Sequence, residues 1–395
     1  MLLQIHNKKI MIEKISKIFN EKFGGNALIV RSPGRVNIIG EHTDYNEGFV
    51  LPAAINKAIY IAISKRSDNE IHLHAADFNE DFICTLSTVM PDKKHWPNYV
   101  LGIVDQLQKR GCKLNGFNAV IDGDVPVGAG LSSSAAVECA AVFALNELFQ
   151  LQLTKKEMVQ MAQKAEHLFA GVKVGIMDMF ASMFGKSEHA IKLDCRSLEF
   201  EYVPLHLNKI KIVLFNSNVK HSLASTEYNV RRQQCEQGVE WIKENYPQVN
   251  SLRDATMQML DENILQKDNL IYKRCKFIIE ENQRLLAACE DLKRDDIKSL
   301  GDKMFQTHEG LSKEYEVSCK ELDFLVNAVK NNDAVLGARM MGGGFGGCTI
   351  NLVKEDDIDA LIAQVSEVYE REMKLPLTAY IAQIENGTEI IQKKN

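Results

Sequence analysis

A predicted strand that runs through a glycine- and serine-rich loop into an apolar helix places the tightest limit on how this chain folds. Residues 117–122 (FNAVID) have strand character, and the loop 123–134 (GDVPVGAGLSSS) follows directly. Residues 135–149 (AAVECAAVFALNELF) are apolar on nearly every face, which is typical of a buried helix. We therefore expect a mixed α and β structure with this helix inside its core.

The loop between this strand and this helix has the features of an anion site. Its glycines let the backbone approach a ligand, and the free N–H groups at the start of a helix favour an anion such as phosphate. It is not a Walker A loop, because no Gly-Lys-Ser/Thr follows, and Ser132 stands where a dinucleotide fingerprint needs its third glycine. A tight turn capped by serines is an equally good interpretation of the loop alone.

Hydrophobic periodicity predicts further elements along the first half of the chain. An amphipathic helix ends at Gly24-Gly25, and another helix runs from Pro97 to Gly111. Thr154 and Glu157 form a capping-box pattern for a helix that reaches His167. Short β-like runs are expected at 27–32, 58–66, 71–76 and 81–86, with two more strand pieces within 190–205.

The composition changes after residue 205. From about 219 to 330 the sequence is mostly charged amphipathic helix, and 346–384 then predicts strand, helix and strand. We therefore expect two domains, 1–204 and 205–395, the second with a sheet of its own.

Charge and cysteine usage exclude several classes of protein. The net charge of -6 and the absence of a dense Lys/Arg run argue against nucleic-acid binding. No segment is long and uncharged enough to suggest a signal peptide or a membrane span. Nine cysteines without a CxxC pair argue against a zinc site and predict reduced thiols in a cytoplasmic protein.

Three other stretches carry unusual chemistry. Residues 34–48 (GRVNIIGEHTDYNEG) set five ionisable side chains against an apolar core, and burying charges is costly unless they are paired or bound to something. Residues 337–347 hold six glycines, which indicates a close approach of backbone to another backbone or a ligand, with a flexible linker as the alternative. In 165–180, Glu166 lies near one helix end and Asp178 in the first turn of the next, where helix capping alone would explain it.

Together these stretches resemble the motifs of the GHMP kinase superfamily, and residues 34–48 are similar to the signature of its galactokinase family. The resemblance runs from about residue 28 to 384, with all three superfamily motifs in the usual order. It implies a two-domain α+β fold, with an N-terminal mixed-sheet domain like ribosomal S5 domain 2, a C-terminal ferredoxin-like domain and the active site between them. The implied activity is ATP-dependent phosphorylation of galactose at its anomeric hydroxyl, with Mg²⁺ as cofactor and galactose and Mg-ATP as partners.

The resemblance also implies a role for individual residues. Asp178 faces the anomeric hydroxyl as base or orienting acceptor, and Arg35 is the catalytic cation beside it. The implied sugar ligands are Glu41, His42, Asp44, Gly175 and Tyr228. The implied nucleotide-binding residues are Gly128, Ala129, Gly130, Leu131, Ser132, Ser133, Ser134, Trp96 and Tyr99, although Trp96 could equally belong to the core. Ser134 and Glu166 are the implied Mg²⁺ ligands, since hydroxyl and carboxylate oxygens suit this ion.

The chain departs from the family pattern at Glu47, where a glycine is usual, and at Met341, where a threonine is usual. The first departure affects a local turn, because glutamate tolerates positive φ poorly. The second removes a hydroxyl near the active site, so we expect activity to survive but to be slower. Two competing functions are an N-acetylgalactosamine kinase, disfavoured by the bulky Ile176 and Met177, and a non-catalytic galactose sensor, disfavoured by the intact Ser-Ala run.

Overall fold

The computed structural model describes residues 2–126, 128–219 and 224–393. Its strands are β1 (Leu28–Asn37), β2 (Phe49–Val50), β3 (Pro52–Lys65), β4 (Glu70–Ala75), β5 (Glu80–Thr85), β6 (Phe117–Gly123), β7 (His189–Asp194), β8 (Phe200–Pro204), β9 (Ile210–Asn216), β10 (Val335–Met340), β11 (Cys348–Lys354), β12 (Thr378–Ala382) and β13 (Glu389–Gln392). Its helices are α1 (Leu2–Phe23), α2 (Asn98–Lys109), α3 (Ser133–Phe149), α4 (Lys155–Ala165), α5 (Met177–Phe184), α6 (Ala224–Lys243), α7 (Met257–Asn263), α8 (Asn269–Lys293), α9 (Ile297–Lys313), α10 (Lys320–Val329) and α11 (Ile358–Met373). Among the helices described, none combines the length and the apolar character needed to cross a membrane.

The first sheet has six strands in the order β13-β1-β3-β6-β4-β5. It is mixed, because β4 and β6 pair in parallel whereas the other neighbours are antiparallel. All ten residues of β1 are buried, since α3 and α5 cover one face of the sheet and α1 packs on the other. The five strands predicted before residue 123 are confirmed as β1, β3, β4, β5 and β6.

Helix α3 is the central helix of this layer, and its predicted burial is confirmed. Ala135, Cys139 and Val142 are fully buried, and α3 contacts α2, α4 and α5 as well as β1 and β3. Its many small side chains suit such close packing.

The helix predicted to reach His167 ends in an unusual turn. Helix α4 starts with the expected capping box between Thr154 and Glu157 and ends at Ala165. The chain then continues as a π-helical turn, Glu166–Ala170, before Gly171 stops it. Such turns occur frequently at functional sites, and this one carries Glu166.

A second sheet, in the order β10-β11-β9-β12, lies in the later half of the chain. Its strands pair antiparallel, and α10 and α11 pack against it through a separate apolar cluster. The predicted strand, helix and strand are confirmed as β11, α11 and β12, and the predicted helical region is confirmed as α6 to α10. The two strand pieces within 190–205 are confirmed as β7 and β8, which form a third sheet with β2.

Strands β2, β9, β10 and β13 were not predicted from the sequence. The last of these pairs with β1, so the end of the described chain returns to the first sheet. The division at residue 205 stays a prediction.

Candidate active site

A cavity of about 230 Å³ lies where the end of β1, the start of α5 and the turn after β10 meet. The residues that line it are Arg35, Glu41, His42, Asp44, Val172, Val174, Gly175, Met177, Asp178, Tyr228, Gly342 and Gly343. The structure thus brings together every residue implied for catalysis or sugar binding.

Arg339 at the end of β10 holds the loop that follows β1. Its guanidinium is fully buried and donates to the backbone oxygens of Asn37, Ile38 and Met340. It also pairs with Glu41, with 2.7 Å between Nη1 and Oε2, and both of these side chains are nearly inaccessible. Buried ion pairs are tolerated where hydrogen bonds satisfy the remaining donors. Glu41 is therefore fixed in the wall of the cavity.

Helix α8 holds the same loop from another side through Glu281. The Glu281 carboxylate is buried and accepts the Gly40 N–H at 2.9 Å and the Thr307 hydroxyl at 2.9 Å, and it pairs with Arg284. Gly40 has φ +89°, and a Cβ there would overlap the Leu285 side chain. Only glycine therefore fits at this point of the loop.

His42 lies buried among the aromatic rings of Tyr45, Tyr228 and Tyr315. Burial, together with the charge of Arg231, lowers the pKa of His42 to about 3. The imidazole is therefore neutral near pH 7. Its Nδ1 lies 2.8 Å from the Tyr45 hydroxyl, while Nε2 has no hydrogen-bond partner among the described residues. A neutral ring with one free nitrogen suits a sugar hydroxyl.

Asp44 faces the cavity next to Gly175. Burial raises the pKa of Asp44 to about 7, and the nearby charge of Asp178 raises it as well, while a hydrogen bond from the Tyr45 N–H opposes the shift. A Cβ at Gly175 would overlap the Asp44 carboxylate. The glycine thus makes room for the carboxylate.

Arg35 and Asp178 form a two-point ion pair at the deep end of the cavity. Nε and Nη2 of Arg35 donate to the two oxygens of Asp178 at 2.8 and 3.0 Å, and Nη1 donates to the Gly130 carbonyl at 2.6 Å. Burial opposes the charge on Arg35, but the Asp178 and Glu41 carboxylates raise its pKa. The Ser132 hydroxyl also donates to Asp178. Asp178 is thus held in a fixed orientation against the phosphate loop.

The implied phosphate loop, residues 128–132, adopts left-handed backbone conformations at Gly128 (φ +76°), Gly130 (φ +73°) and Ser132 (φ +59°). Val127 lies outside the described residues. Ser132 makes no side-chain capping bond to α3, because its hydroxyl points to Asp178. The structure therefore does not show the alternative of a serine-capped turn. Without a side-chain cap, the first N–H groups of α3 are available to an anion.

The glycine-rich segment after β10 lies against this phosphate loop. A Cβ on Gly347 would stand 3.5 Å from the Ala129 oxygen, and one on Gly130 would stand 3.7 Å from the Met341 oxygen. The predicted close approach of two backbones is confirmed. The linker interpretation is wrong, because the segment joins β10 to β11 within one sheet.

Ser134 at the start of α3 lies beside Glu166, which is 6% exposed. Burial raises the pKa of Glu166 to about 7, with Asp178 adding to the shift and a hydrogen bond with the Ser134 hydroxyl opposing it. Glu138 lies against the same carboxyl, and burial, followed by the Glu166 charge, raises the pKa of Glu138 well above its usual range. Tyr99 on α2 is close to both glutamates, and its pKa is raised to about 12, mainly by burial.

Trp96 makes contacts of its own at the start of α2. Its indole donates to Glu80 at 3.0 Å and packs edge-to-face on Phe82, with 6.4 Å between ring centroids. Trp96 is not among the residues that line the cavity. Its role beside adenine stays a prediction.

The two departures from the family pattern are accommodated differently. Glu47 adopts φ +57° and pairs with Arg196, which also bonds Asp254. Met341 is 1% exposed and donates its N–H to the Cys348 oxygen at 3.0 Å, so its thioether belongs to the core.

Three residues important to this site were missed from the sequence: Arg339, Glu281 and Glu138. Glu138 had a signal, because it is the one acidic residue in the middle of an otherwise apolar helical run. Arg339 lies within the glycine-rich segment 337–347, but nothing local shows that it reaches Glu41. Glu281 lies in a charged amphipathic helix where its neighbours are also charged, so its burial has no local signature.

Known proteins resemble the chain along most of its length. The galactokinase galactose-binding signature matches residues 17–65, the GHMP kinases N terminal domain 98–186 and the GHMP kinases C terminal family 288–371. A galactokinase of Thermotoga neapolitana is 40% identical over 363 residues, covering 92% of this chain and 99% of that protein. The chain belongs to the galactokinase family. A galactokinase of Fusobacterium nucleatum is likewise 40% identical over 386 residues, covering 95% of this chain and 99% of its own.

Solved structures agree with this membership. A Lactococcus lactis galactokinase complexed with galactose has a TM-score of 0.92 and 34% identity, covering 96% of this chain and 99% of that chain. A Methanococcus jannaschii mevalonate kinase has a TM-score of 0.64 at 19% identity, covering 92% and 99%, and at that identity it shows a common fold alone. The GHMP kinase fold implied by the sequence is thereby confirmed, and this member of the galactokinase family is a sugar kinase.

Proposed function

We propose that this enzyme transfers the γ-phosphoryl group of ATP to the anomeric hydroxyl of galactose, giving galactose 1-phosphate and ADP. The observation that carries the proposal is the convergence of the sugar-side residues and the Arg35–Asp178 pair on one cavity beside a phosphate loop. The galactokinases at 40% identity support it.

The sugar-side residues suit a polyhydroxy substrate. Glu41 would accept from the 6-hydroxyl, and Asp44 with His42 would hold the 3- and 4-hydroxyls, with Gly175 and Tyr228 completing the pocket. Carboxylates offer two acceptor oxygens each, and charge-assisted hydrogen bonds are the stronger kind. The free Nε2 of His42 supports its part.

In phosphoryl transfer the protein mainly aligns the reacting groups and compensates their charge, because the transition state is loose. The anomeric oxygen forms a bond to the γ-phosphorus as the bond to the bridging oxygen of ADP breaks. Asp178 accepts the proton of the attacking hydroxyl, and Arg35 compensates negative charge on the γ-phosphoryl oxygens. Because Arg35 and Ser132 already hold Asp178 in place, we favour a role in orienting the hydroxyl and taking its proton late.

The ATP phosphates would lie in the loop 128–133 and against the start of α3, with Trp96 and Tyr99 on the adenine side. Mg²⁺ fits Ser134 and Glu166, because both present hard oxygen donors and the buried Glu166 carboxyl lies beside the Ser134 hydroxyl. When bound there, the ion would neutralise charge on the phosphate oxygens. Ser134 and Glu166 would orient it.

The two alternatives are less well supported. Ile176 and Met177 are 7% and 6% exposed, and Met177 lines the cavity, so an acetamido group at C2 would meet filled space. A galactose sensor that does not catalyse is disfavoured by the complete run Ser132-Ser133-Ser134-Ala135-Ala136. We place the reaction in the cytoplasm, with galactose and Mg-ATP as partners and no part for nucleic acid or membrane.

A sugar panel tests the proposal directly. ADP release is measured with Mg-ATP and galactose, N-acetylgalactosamine or glucose. We expect turnover with galactose and little with the other two, since glucose presents an equatorial 4-hydroxyl that leaves Asp44 short of a donor. Faster turnover with N-acetylgalactosamine would assign the sister activity, and galactose binding without ADP release would assign the sensor.

Asp178→Asn should keep galactose binding but lose turnover. The pocket retains its shape while the proton acceptor disappears, so we expect kcat to fall by about 10²- to 10⁴-fold. Galactose affinity is measured by calorimetry without nucleotide, and kcat by ADP release. A kcat close to that of the wild type would remove Asp178 from the mechanism.

A further inference from the structure

Glu138 is an acidic side chain within the buried helix α3. It is fully buried, and neither carboxyl oxygen makes a hydrogen bond of good geometry among residues 2–126, 128–219 and 224–393, although the Glu166 carboxyl lies close enough to share a proton with it. An unpartnered buried polar group costs about 1 to 3 kcal/mol, and an ionised one costs more. A residue of this kind in a helix core indicates a function other than packing.

The position of Glu138 links it to the residues proposed for the cation. It lies one helical turn after Ser134, so both side chains point from the same face of α3. Glu166, at the π-helical turn after α4, interacts with both of them. The three side chains therefore bring a hydroxyl and two carboxyl groups together beside the phosphate loop.

The charges around this group are not balanced by the described side chains. Glu138 makes no ion pair within the described ranges, and Arg35, the cation that acts on Glu166, is engaged by both oxygens of Asp178. Neighbouring buried carboxylates repel each other unless a cation or a shared proton lies between them. A divalent cation is the partner that oxygen donors of this kind prefer.

We infer that Glu138 is a third protein oxygen donor for the divalent cation that Ser134 and Glu166 hold with ATP. The inference rests on the proposed function, because ATP brings the cation to this site. It assigns to Glu138 a role that the sequence motifs did not suggest. The competing explanation is a neutral, purely structural Glu138 that shares a proton with Glu166.

The test measures binding of Mn²⁺ to the complex of the protein with adenylyl imidodiphosphate, an ATP analogue that is not hydrolysed at its β–γ bridge. Free Mn²⁺ is followed by electron paramagnetic resonance. In Glu138→Gln, we expect Mn²⁺ to bind roughly 10- to 100-fold more weakly, as is typical when a residue that supports a metal is removed. The affinity for the metal-free analogue should stay the same.

Two variants provide the comparison. Glu147→Gln removes an exposed carboxylate from the same helix and should leave Mn²⁺ affinity unchanged. Glu166→Gln should weaken Mn²⁺ binding at least as much as Glu138→Gln. If Glu138→Gln keeps the wild-type Mn²⁺ affinity while Glu166→Gln loses it, Glu138 is structural and the inference is overturned.

Glu138→Asp keeps the carboxylate but shortens the side chain by one methylene group. It provides a second test in case Glu138→Gln does not fold. An Mn²⁺ affinity between those of the wild type and Glu138→Gln supports the inference, and wild-type affinity in both variants overturns it. Thermal unfolding without Mn²⁺ shows whether each variant folds. Galactose-dependent release of ADP from Mg-ATP by the wild type is a separate readout, so failure of the proposed function is distinguishable from failure of this inference.

Discussion

Asp44 and His42 lie in the same cavity wall, and burial acts on them in opposite directions. It raises the pKa of Asp44 to about 7 and lowers the pKa of His42 to about 3, because a buried site disfavours the charged form of either group. Near pH 7, His42 is therefore neutral, whereas Asp44 is close to its midpoint. Of the two, only Asp44 changes its charge in the physiological range.

Galactose affinity should consequently depend on pH through Asp44. Ionised Asp44 accepts from two sugar hydroxyls and the protonated form offers fewer acceptors, so we expect affinity to fall below pH 7, by up to about tenfold per pH unit. Calorimetry without ATP or Mg²⁺ between pH 5.5 and 8.5 measures this. Asp44→Asn should bind weakly and without this pH dependence. A flat profile in the wild type would contradict the assignment of Asp44.

Replacing Glu47 with glycine should destabilise the fold less than replacing it with alanine. Its φ of +57° disfavours any side chain by roughly 1 kcal/mol, whereas its exposed ion pair with Arg196 contributes about 0 to 1 kcal/mol. Both substitutions lose the ion pair, but only glycine relieves the backbone. We expect Glu47→Gly to be about 1 kcal/mol more stable than Glu47→Ala in urea unfolding. Equal stabilities would mean that this turn relaxes to another conformation.

At the scale of elements, α8 supports the loop that follows β1 without contributing to the cavity lining. Glu281→Gln replaces one acceptor oxygen by a donor and so weakens the bonds to Gly40, Thr307 and Arg284. We expect roughly tenfold weaker galactose binding, as for the loss of a charge-assisted hydrogen bond, with a smaller change in kcat. Galactose affinity and kcat are measured on the same preparation. Glu290→Gln, on an exposed position of α8, is the control and should change neither.

Local sequence patterns predicted most elements but not those that depend on distant partners. The strand, loop and helix around residues 117–149 followed from burial pattern and glycine placement, and the capping box at Thr154 from two side chains three residues apart. Strand β13 has only four residues, and it is defined by pairing with β1. The π-helical turn at Glu166 has no distinctive sequence pattern.

For the whole molecule, removal of β13 should destabilise the fold and promote association. Thr388 bonds both Ser32 and the Ser182 oxygen, and the strand covers the edge of β1. We expect a chain that ends at Gly387 to lose roughly 2 to 4 kcal/mol from hydrogen bonds and partly buried isoleucines. Its exposed strand edge should also promote aggregation.

Urea unfolding and light scattering measure these two effects. A chain that ends at Gln392 keeps β13 whole and is the matched control. Equal stability and equal scattering of the two shortened chains would show that β1 does not depend on this partner.

The candidate site was predicted through motifs, each of which lies in one continuous stretch. Arg339 and Glu281 hold the loop after β1 through contacts that span more than a hundred residues, and Glu138 acts from the helix that follows the loop 123–134. Physical patterns within a stretch report burial and capping, but they do not report which distant side chain satisfies a buried donor. The residues that touch substrate were therefore easier to find than those that hold them.

The pairing of β13 with β1 also has a consequence for biosynthesis. The ribosome completes β1 early and makes β13 only after every other described strand and helix has been translated. During that interval the open edge of β1 can pair with a neighbouring nascent chain. The covering helices α3 and α5 emerge much sooner and can bury the faces of the sheet, but neither can occupy that edge. Slow translation of the later half therefore prolongs the period in which this strand edge is open to pairing with another chain.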